Sequence, residues 1–279
     1  MKATLNRLRS ALVPLYGKGE SDAIIRLIFH YLKGWNLTDM LIHQNEELSP
    51  FIKSEVDKIL QRLINNEPIQ YITGEARFHG MEFKVRPGVL IPRPETEELV
   101  DLIIDENKNR QDLKVLDVCS GSGCIAITLA RNLPFSKVTA LDFSTEAIEV
   151  TKENSMNLKT KIELIKADIF DWSPKGKYDI IVSNPPYVMD KEALQMDRNV
   201  LDYEPHEALF VRDEDPLIFY ARIAEIAKES LVENGILYFE INPLTSDSLK
   251  TLLISLGFSD IIIILDSFGK QRFLSCKSS

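Results

Sequence analysis

Positive charge, paired cysteines, clustered histidines and long apolar runs are all scarce in this chain of 279 residues, and each shortage removes a class of protein. Lys and Arg number 33 against 42 Asp and Glu, a formal net charge of -9 with a pI near 5.1. The chain as a whole would be repelled by a phosphate backbone unless one face were locally basic, so no direct nucleic-acid binding is expected. Cys119, Cys124 and Cys276 stand in no CxxC or other metal-ligand spacing, and their odd number argues against a disulfide framework. His30, His43, His79 and His206 are scattered, and no His/Asp/Glu cluster suggests a metal site, so no metal is expected. The longest apolar run, Ile261 to Leu265, is strand-sized and far short of a bilayer. The opening MKATLNRLRSALVPLYGKGESD interrupts any apolar stretch with charges and a proline, unlike a signal peptide. Internal repeats and low-complexity tracts are absent too. A cytoplasmic protein without membrane attachment is expected.

Hydrophobic residues at 44% and charged residues at 27% are ordinary for a folded chain, and the length accommodates a large domain and a small one. Residues 1–75 carry helical periodicity, as in Leu5, Leu8, Leu12 and Leu15, then Ile24, Leu27, Ile28, Tyr31 and Leu32. Ser49 and Pro50 open another helix whose apolar face is Val56, Ile59, Leu60 and Leu63. A small all-helical domain is expected here. Residues 76–94 change to short segments broken by glycine and proline, with Phe78, Met81, Phe83 and Val85 forming a hairpin about Gly80 and the remainder a linker. From 95 to 279 helix and strand alternate, which predicts an α/β domain built on a mostly parallel sheet covered on both faces. The predicted strands are Lys114–Val118, Val138–Asp142, Ile162–Lys166, Tyr178–Ser183, Ile236–Ile241, Ile261–Leu265 and Gln271–Cys276. Only the DSFGK turn separates the last two, so the sheet ends in a hairpin and must contain an antiparallel strand. That distinguishes it from a simple dinucleotide-binding repeat.

The strand KVLDV runs into CSGSG and then into a helix, CIAITLARN. Gly121 and Gly123 allow a tight turn and close backbone approach to a ligand, and the helix start presents unpaired N–H groups. Cys119, Ser120 and Ser122 complete that loop. Asp142 ends the next strand about 20 residues later, where a carboxylate receives ribose hydroxyls in both NAD and S-adenosylmethionine proteins; the alternative is a cap on the helix from Ser144. Asp117, just before the loop, is placed to meet a cationic amino acid or to orient the loop backbone. NAD has no ammonium for it, whereas S-adenosylmethionine has. After the third strand Asp168 could take the adenine amino group with Ile169 on the ring, or simply form a turn.

The strand Tyr178–Ser183 leads into SNPPYV. Pro185 and Pro186 can continue neither a strand nor a helix interior, so they stiffen a loop at the carboxyl edge of the sheet, where ligands of such folds bind. The Asn184 side-chain oxygen and the Pro185 carbonyl are two acceptors for the hydrogens of one planar NH2 group, and Tyr187 can stack on it or wall the pocket. The alternative is a rigid turn in which Asn184 satisfies its own backbone. An amide nitrogen is a poor nucleophile, so orientation and preorganised dipoles are what such a site contributes.

Seven segments together carry a resemblance: IPRPETEELV (91–100), LDVCSGSGCIAITLA (116–130), LDFSTEAI (141–148), ADIF (167–170), SNPPYV (183–188), YEPHEAL (203–209) and DSFGKQRF (266–273). The chain resembles the bacterial protein-(glutamine-N5) methyltransferases that act on peptide chain release factors. SNPPY alone is shared with adenine and cytosine amino-methyltransferases; PRPETE together with SNPPY is specific. The resemblance implies a Rossmann-like, seven-stranded S-adenosyl-L-methionine methyltransferase domain after the helical one, and as substrate the glutamine of the GGQ loop of release factors. It implies that this amide lies against Asn184 and Pro185 beside Tyr187, with Asn184 touching both ligands. Residues 119–123, Asp142 and Ile169 would line the cofactor pocket. Pro92, Arg93, Pro94 and Glu95 would close over the site, with Thr96 and Glu97 supporting it; Arg93 has the alternative of neutralising a carboxylate. Three positions depart from the pattern. Cys119 replaces the first loop glycine, which implies a tighter loop or a less extreme dihedral. VRDEDP (211–216) stands where a glycine-rich stretch is usual, and EIN (240–242) where EIG is usual. The competing readings are an N6-adenine or N4-cytosine methyltransferase acting on a flipped base and a non-catalytic binding protein of the same fold. No coiled coil or pairing element is visible, so a monomer is the default.

Overall fold

The computed structural model describes residues 1–278, which divide into two compact units: Met1–Glu75 with Asp197–Tyr203, and Ala76–Met196 with Glu204 onward. In the first unit the apolar spacing becomes α1 (Lys2–Lys33), α2 (Leu37–Ile42), α3 (Pro50–Ile64) and α4 (Ile69–Thr73). Gly17, three residues after Pro14, takes φ 73° and ψ 168° and breaks α1 into two helical pieces. Ser49 caps α3 by accepting the Ile52 N–H at 3.3 Å, and Pro50 occupies the first turn, where its missing N–H costs nothing. Val56, Ile59, Leu60 and Leu63 of α3 then meet Leu8, Leu12, Ile24 and Ile28 of α1 in a single apolar core. A stretch from far along the chain joins this unit: the Tyr203 hydroxyl donates to the Asn65 carbonyl at 2.8 Å. The segment 76–94 belongs to the second unit.

That unit begins, from Ala76, within a hairpin of β1 (Glu75–Phe78) and β2 (Met81–Lys84). Its turn residues His79 and Gly80 have φ of 49° and 72°, the left-handed pair that a two-residue turn needs to match strand twist. There follow α5 (Pro94–Asn107), β3 (Lys114–Val118), α6 (Cys124–Asn132), β4 (Lys137–Asp142), α7 (Thr145–Asn157), β5 (Glu163–Lys166) and β6 (Tyr178–Ser183). Then come the short β7 (Val188–Met189), α8 (Arg198–Tyr203, in the first unit) and β8 (Phe210–Val211). The chain ends with α9 (Ile218–Ser230), β9 (Leu231–Glu240), α10 (Ser246–Ser255), β10 (Phe258–Leu265) and β11 (Gln271–Ser278). Seven strands form one sheet in the order β10-β11-β9-β6-β3-β4-β5. Strands β9, β6, β3, β4 and β5 run parallel, and β11 runs antiparallel to both β9 and β10. The Rossmann-like sheet with its terminal antiparallel hairpin is as expected.

Alternation along β3 shows how the sheet is buried on both faces. Val115 enters the core formed with α5, α6 and the hairpin residues Phe78 and Phe83, whereas Leu116 and Val118 enter the core formed with α9 and α10. Helix α10 is absent from the elements read in the sequence; Leu249 and Leu253, one turn apart, bury the face that holds it there. After β3, β4 and β5 are laid down to one side, the chain returns to place β6 on the other side of β3. The carboxyl ends of β3 and β6 therefore diverge at a topological switch point, the crevice in which open α/β sheets bind ligands.

Candidate active site

A cleft enclosing about 960 Å³, part of it open solvent, lies at that crevice. Its floor is the loop after β3. Cys119 takes φ 60°, so the cysteine occupies the left-handed conformation itself; the less extreme dihedral expected from the glycine replacement does not occur. Gly121 (φ 55°) donates its N–H to Asp142 Oδ2 at 2.8 Å and offers its carbonyl to the Thr151 hydroxyl at 2.9 Å. At Gly123 (φ 77°) an added Cβ would lie 2.6 Å from Thr151 Cγ2, so helix α7 leaves room for glycine alone. Asn154, fully buried on α7, donates to the Ser122 carbonyl at 2.9 Å and holds both backbone groups of Lys84 at the end of the hairpin.

Asp142 accepts from Gly121 N–H through one oxygen and from Ser144 N–H through the other, at 2.8 and 3.0 Å. The helix cap is Ser144, whose hydroxyl accepts the Ala147 N–H, so Asp142 is left facing the cleft. Burial pushes its carboxyl above the ordinary range, and the backbone N–H donors oppose that. Asp117 is fully buried beneath the loop and does not line the cleft. One of its oxygens accepts the Ala126 N–H at 3.0 Å, the other has no partner, and burial pushes the group well up. It orients the start of α6. Asp168 and Ile169 both line the cleft, and Asp168 also makes the turn by accepting the Phe170 N–H at 3.0 Å.

A smaller recess of about 290 Å³ adjoins the cleft and is lined by Arg93, Asn184, Pro185, Tyr187, Leu209 and Glu240 among others. Asn184 and Arg93 line both spaces, whereas Pro186 faces the larger one. The SNPPY loop is pinned from several sides. Ser183 donates its hydroxyl to the Val118 carbonyl at 2.6 Å, the Tyr187 and Val188 N–H groups donate to the Leu209 carbonyl, and Asn242 donates to the Tyr187 carbonyl at 3.1 Å. The asparagine of EIN thus supports the loop through a side chain that glycine lacks. The Tyr187 hydroxyl donates to Glu240 Oε1 at 2.9 Å, and burial and that carboxylate push the phenol well above its usual range, so it stays neutral. Asn184 Nδ2 reaches the Thr96 hydroxyl at 3.2 Å, which in turn donates to Glu240 Oε2 at 2.7 Å.

Arg93 pairs with Glu204 at 2.6 Å, and the second oxygen of Glu204 accepts the Ile91 N–H at 3.1 Å. Glu204 is buried, so the arginine's charge is spent on this clasp, which holds the IPRPE segment beside the cleft. Cys124 sits in the cleft wall with its thiol pushed up to about 12 by burial, unsuited to act as a nucleophile. Among the described residues no group of three or more His, Cys, Asp or Glu is placed to hold a metal ion, and no helix is long and apolar enough to cross a membrane.

Comparison with known proteins bears directly on this arrangement. The family model for the methyltransferase small domain matches residues 82–202, and that for the PrmC N-terminal domain matches residues 4–74. Over 270 residues the chain is 45% identical to the release factor glutamine methyltransferase of Bacteroides thetaiotaomicron, covering 96% of each. This chain belongs to the release factor glutamine methyltransferase family. It is also 40% identical to the Flavobacterium psychrophilum member, over 95% of this chain and 94% of that one. Among solved structures, a methyltransferase from Pyrococcus furiosus superposes with a TM-score of 0.54 at 18% identity, over 80% of this chain and 99% of that one. The Thermus thermophilus 16S rRNA N2 G1207 methyltransferase, in complex with AdoMet and guanosine, gives 0.53 at 17% identity, over 74% and 50%. These two show the fold alone.

The residues present fit the family's cofactor, S-adenosyl-L-methionine. The Ser120 hydroxyl is buried in the cleft wall without a partner, and the Asp142 carboxylate, held by loop N–H groups, lines the same space. Both are donors or acceptors that a ribose and an amino acid would complete. Sequence reasoning missed the apolar side chains Leu90, Phe143 and Phe219 that also line the cleft, and it missed Glu204 and Glu240. Phe143 had a usable signal, an aromatic directly after the acidic strand end. Glu204 and Glu240 had none beyond their motifs, because each acts on a residue more than 100 positions away.

Proposed function

We propose that this protein methylates the side-chain amide nitrogen, N5, of the glutamine in the GGQ motif of peptide chain release factors, giving N5-methylglutamine and S-adenosyl-L-homocysteine. The observation that carries the reading is the joint position of Asn184, which borders the large cleft and the small recess at once. The cofactor, when bound, supplies an electrophilic methyl group on a sulfonium. Cys119, Ser120, Gly121, Ser122, Asp142, Asp168 and Ile169 would hold it, while Gly123 and Asp117 act by shaping the loop.

The recess suits a planar NH2 group. Asn184 Oδ1 and the Pro185 carbonyl accept its two hydrogens and aim its nitrogen toward the cleft, Pro186 stiffens the loop, and Tyr187 walls the other side. With both N–H bonds engaged, the lone pair is drawn out of amide conjugation as the new N–C bond forms and one proton leaves to solvent. Arg93, engaged with Glu204, shapes the entrance rather than binding an anion. Release factors are proteins of the cytoplasm, which places the enzyme there as well.

The test is transfer of labelled methyl from S-adenosyl-L-methionine to purified release factor, with a second factor whose GGQ glutamine is changed to alanine and with unmethylated DNA offered in parallel. Label on the release factor that disappears with the glutamine is expected. Label on DNA instead would move the assignment to an amino-methyltransferase of nucleic acid, and none on either to a binding role.

A further inference from the structure

Resting on that reading, we propose that Thr96 and Glu240 form a hydrogen-bond relay whose polarity fixes which end of the Asn184 amide faces the substrate. An asparagine side chain is nearly symmetric in shape: rotation by 180° exchanges its oxygen for its NH2 with little steric change. In the recess that exchange is decisive, because an NH2 turned toward a substrate amide nitrogen would present donor to donor. Nothing in SNPPY itself selects the correct face.

The selection comes from two other elements. Thr96 lies in the first turn of α5, and Glu240 is the last residue of β9. Both are buried, at 2% exposure each. Burial raises the Glu240 carboxyl, and three neighbours oppose that by favouring the anion: the Thr96 hydroxyl donates to Oε2 at 2.7 Å, the Tyr187 hydroxyl to Oε1 at 2.9 Å, and the charge of Arg272 lies nearby. An ionised carboxylate only accepts, so the single proton of the Thr96 hydroxyl is committed to it. What Thr96 has left for Asn184 is a lone pair. Asn184 must therefore turn its Nδ2 toward Thr96, at 3.2 Å, and its Oδ1 away from it toward the space that takes the substrate NH2. The anion at the end of the relay thus dictates, through one hydroxyl, that the group presented to substrate is an acceptor. Thr96 and Glu240 are positioning residues: they set the polarity of Asn184 and touch no reacting atom.

Two features make threonine apt here. Its hydroxyl has one proton, so one committed donation leaves it an acceptor only toward Asn184; its β-branched side chain has few rotamers to lose. Tyr187, the second donor to Glu240, ties the other wall of the recess to the same carboxylate, so one anion holds both sides of the pocket.

The test is steady-state kinetics on release factor with wild type, Thr96→Val, Thr96→Ser and Glu240→Gln, with thermal melting and cofactor affinity measured alongside. Thr96→Val keeps the shape and removes the relay; kcat is expected to fall about 10- to 100-fold, with KM for S-adenosyl-L-methionine within about threefold of wild type. Thr96→Ser restores the hydroxyl and is expected within about threefold of wild-type kcat. Glu240→Gln lets position 240 donate as well as accept, so the relay loses its direction and kcat falls at least fivefold. Full kcat in Thr96→Val, or equal losses in Thr96→Val and Thr96→Ser, would overturn the relay. If Thr96→Val does not fold, full kcat in a folded Glu240→Gln overturns it on its own. A wild-type protein inert on release factor overturns the functional reading and the relay with it, whereas an active wild type matched by its variants overturns the relay alone.

Discussion

The two halves of the site are built in opposite ways. The cofactor half is held through the backbone groups of one loop: Gly123 N–H to the Ser120 carbonyl and Ser120 N–H to the Leu141 carbonyl, with the Asp142, Thr151 and Asn154 side chains each bonding a loop N–H or carbonyl. The amide half is held by side chains drawn from distant segments, with Asn184 joined to Thr96 across 88 positions and Thr96 to Glu240 across 144. Backbone holding tolerates much of the side-chain text but no change in local conformation. Side-chain holding tolerates conformational detail but no change in donor and acceptor pattern. The two halves should therefore fail differently.

The largest effect belongs to the amide half. Asn184→Ala removes one of the two acceptors proposed for the substrate nitrogen and should lower kcat by about 10²- to 10³-fold, while cofactor affinity, read by calorimetry, falls only a few-fold. A loss confined to cofactor affinity would show that the division is misdrawn. Gly123→Ala attacks the cofactor half, where the added methyl meets Thr151 at 2.6 Å and the backbone is left-handed. Overpacking of this kind costs about 1–3 kcal/mol, so melting should drop by several degrees and cofactor affinity at least tenfold. A folded variant with normal cofactor affinity would remove the steric argument.

The smallest effect is one of pH. Asp117 is fully buried, has one oxygen without a partner, and its carboxyl is pushed well above the usual range by desolvation. A carboxyl whose folded pKa exceeds its unfolded value binds more protons in the native state, so stability falls as pH rises from the unfolded pKa to the folded one. Asp117→Asn retains an acceptor for the Ala126 N–H and discards the charge. Its melting temperature should exceed that of wild type at pH 8, by about 2–4 °C for each 1 kcal/mol regained, and the advantage should vanish below about pH 4. An advantage that grows on acidification would reverse the assigned direction of the shift.

The same contrast explains what could be read without coordinates. The α/β sheet with its terminal hairpin was legible because burial on two faces leaves a pattern within each strand, as in Val115 against Leu116 and Val118. Helix α10 was not, because its buried face rests on Leu249 and Leu253 within one short stretch. The loop glycines are legible as a local motif, yet of the two outcomes expected of Cys119, a tighter loop or a less extreme dihedral, the second does not occur, since a non-glycine at φ 60° is visible only once the loop is folded. Asp117, read from its place at a strand end as either a contact for a cationic amino acid or an anchor for the loop backbone, is buried beneath α6 by the side-chain alternation of β3 and bonds the Ala126 N–H.

By itself, then, the amino-acid order determined which local shapes the chain adopts and which chemistry each loop can offer, because strand alternation, helix caps, glycine turns and the stiff SNPPY loop are all properties of neighbouring residues. Tertiary structure alone decided the pairing of Glu204 with Arg93 and of Glu240 with Thr96 and Tyr187. The direction of a hydrogen bond depends on which donor finally meets which acceptor, and that meeting is arranged only when the carboxyl ends of β6 and β9 and the start of α5 are brought to one edge of the sheet.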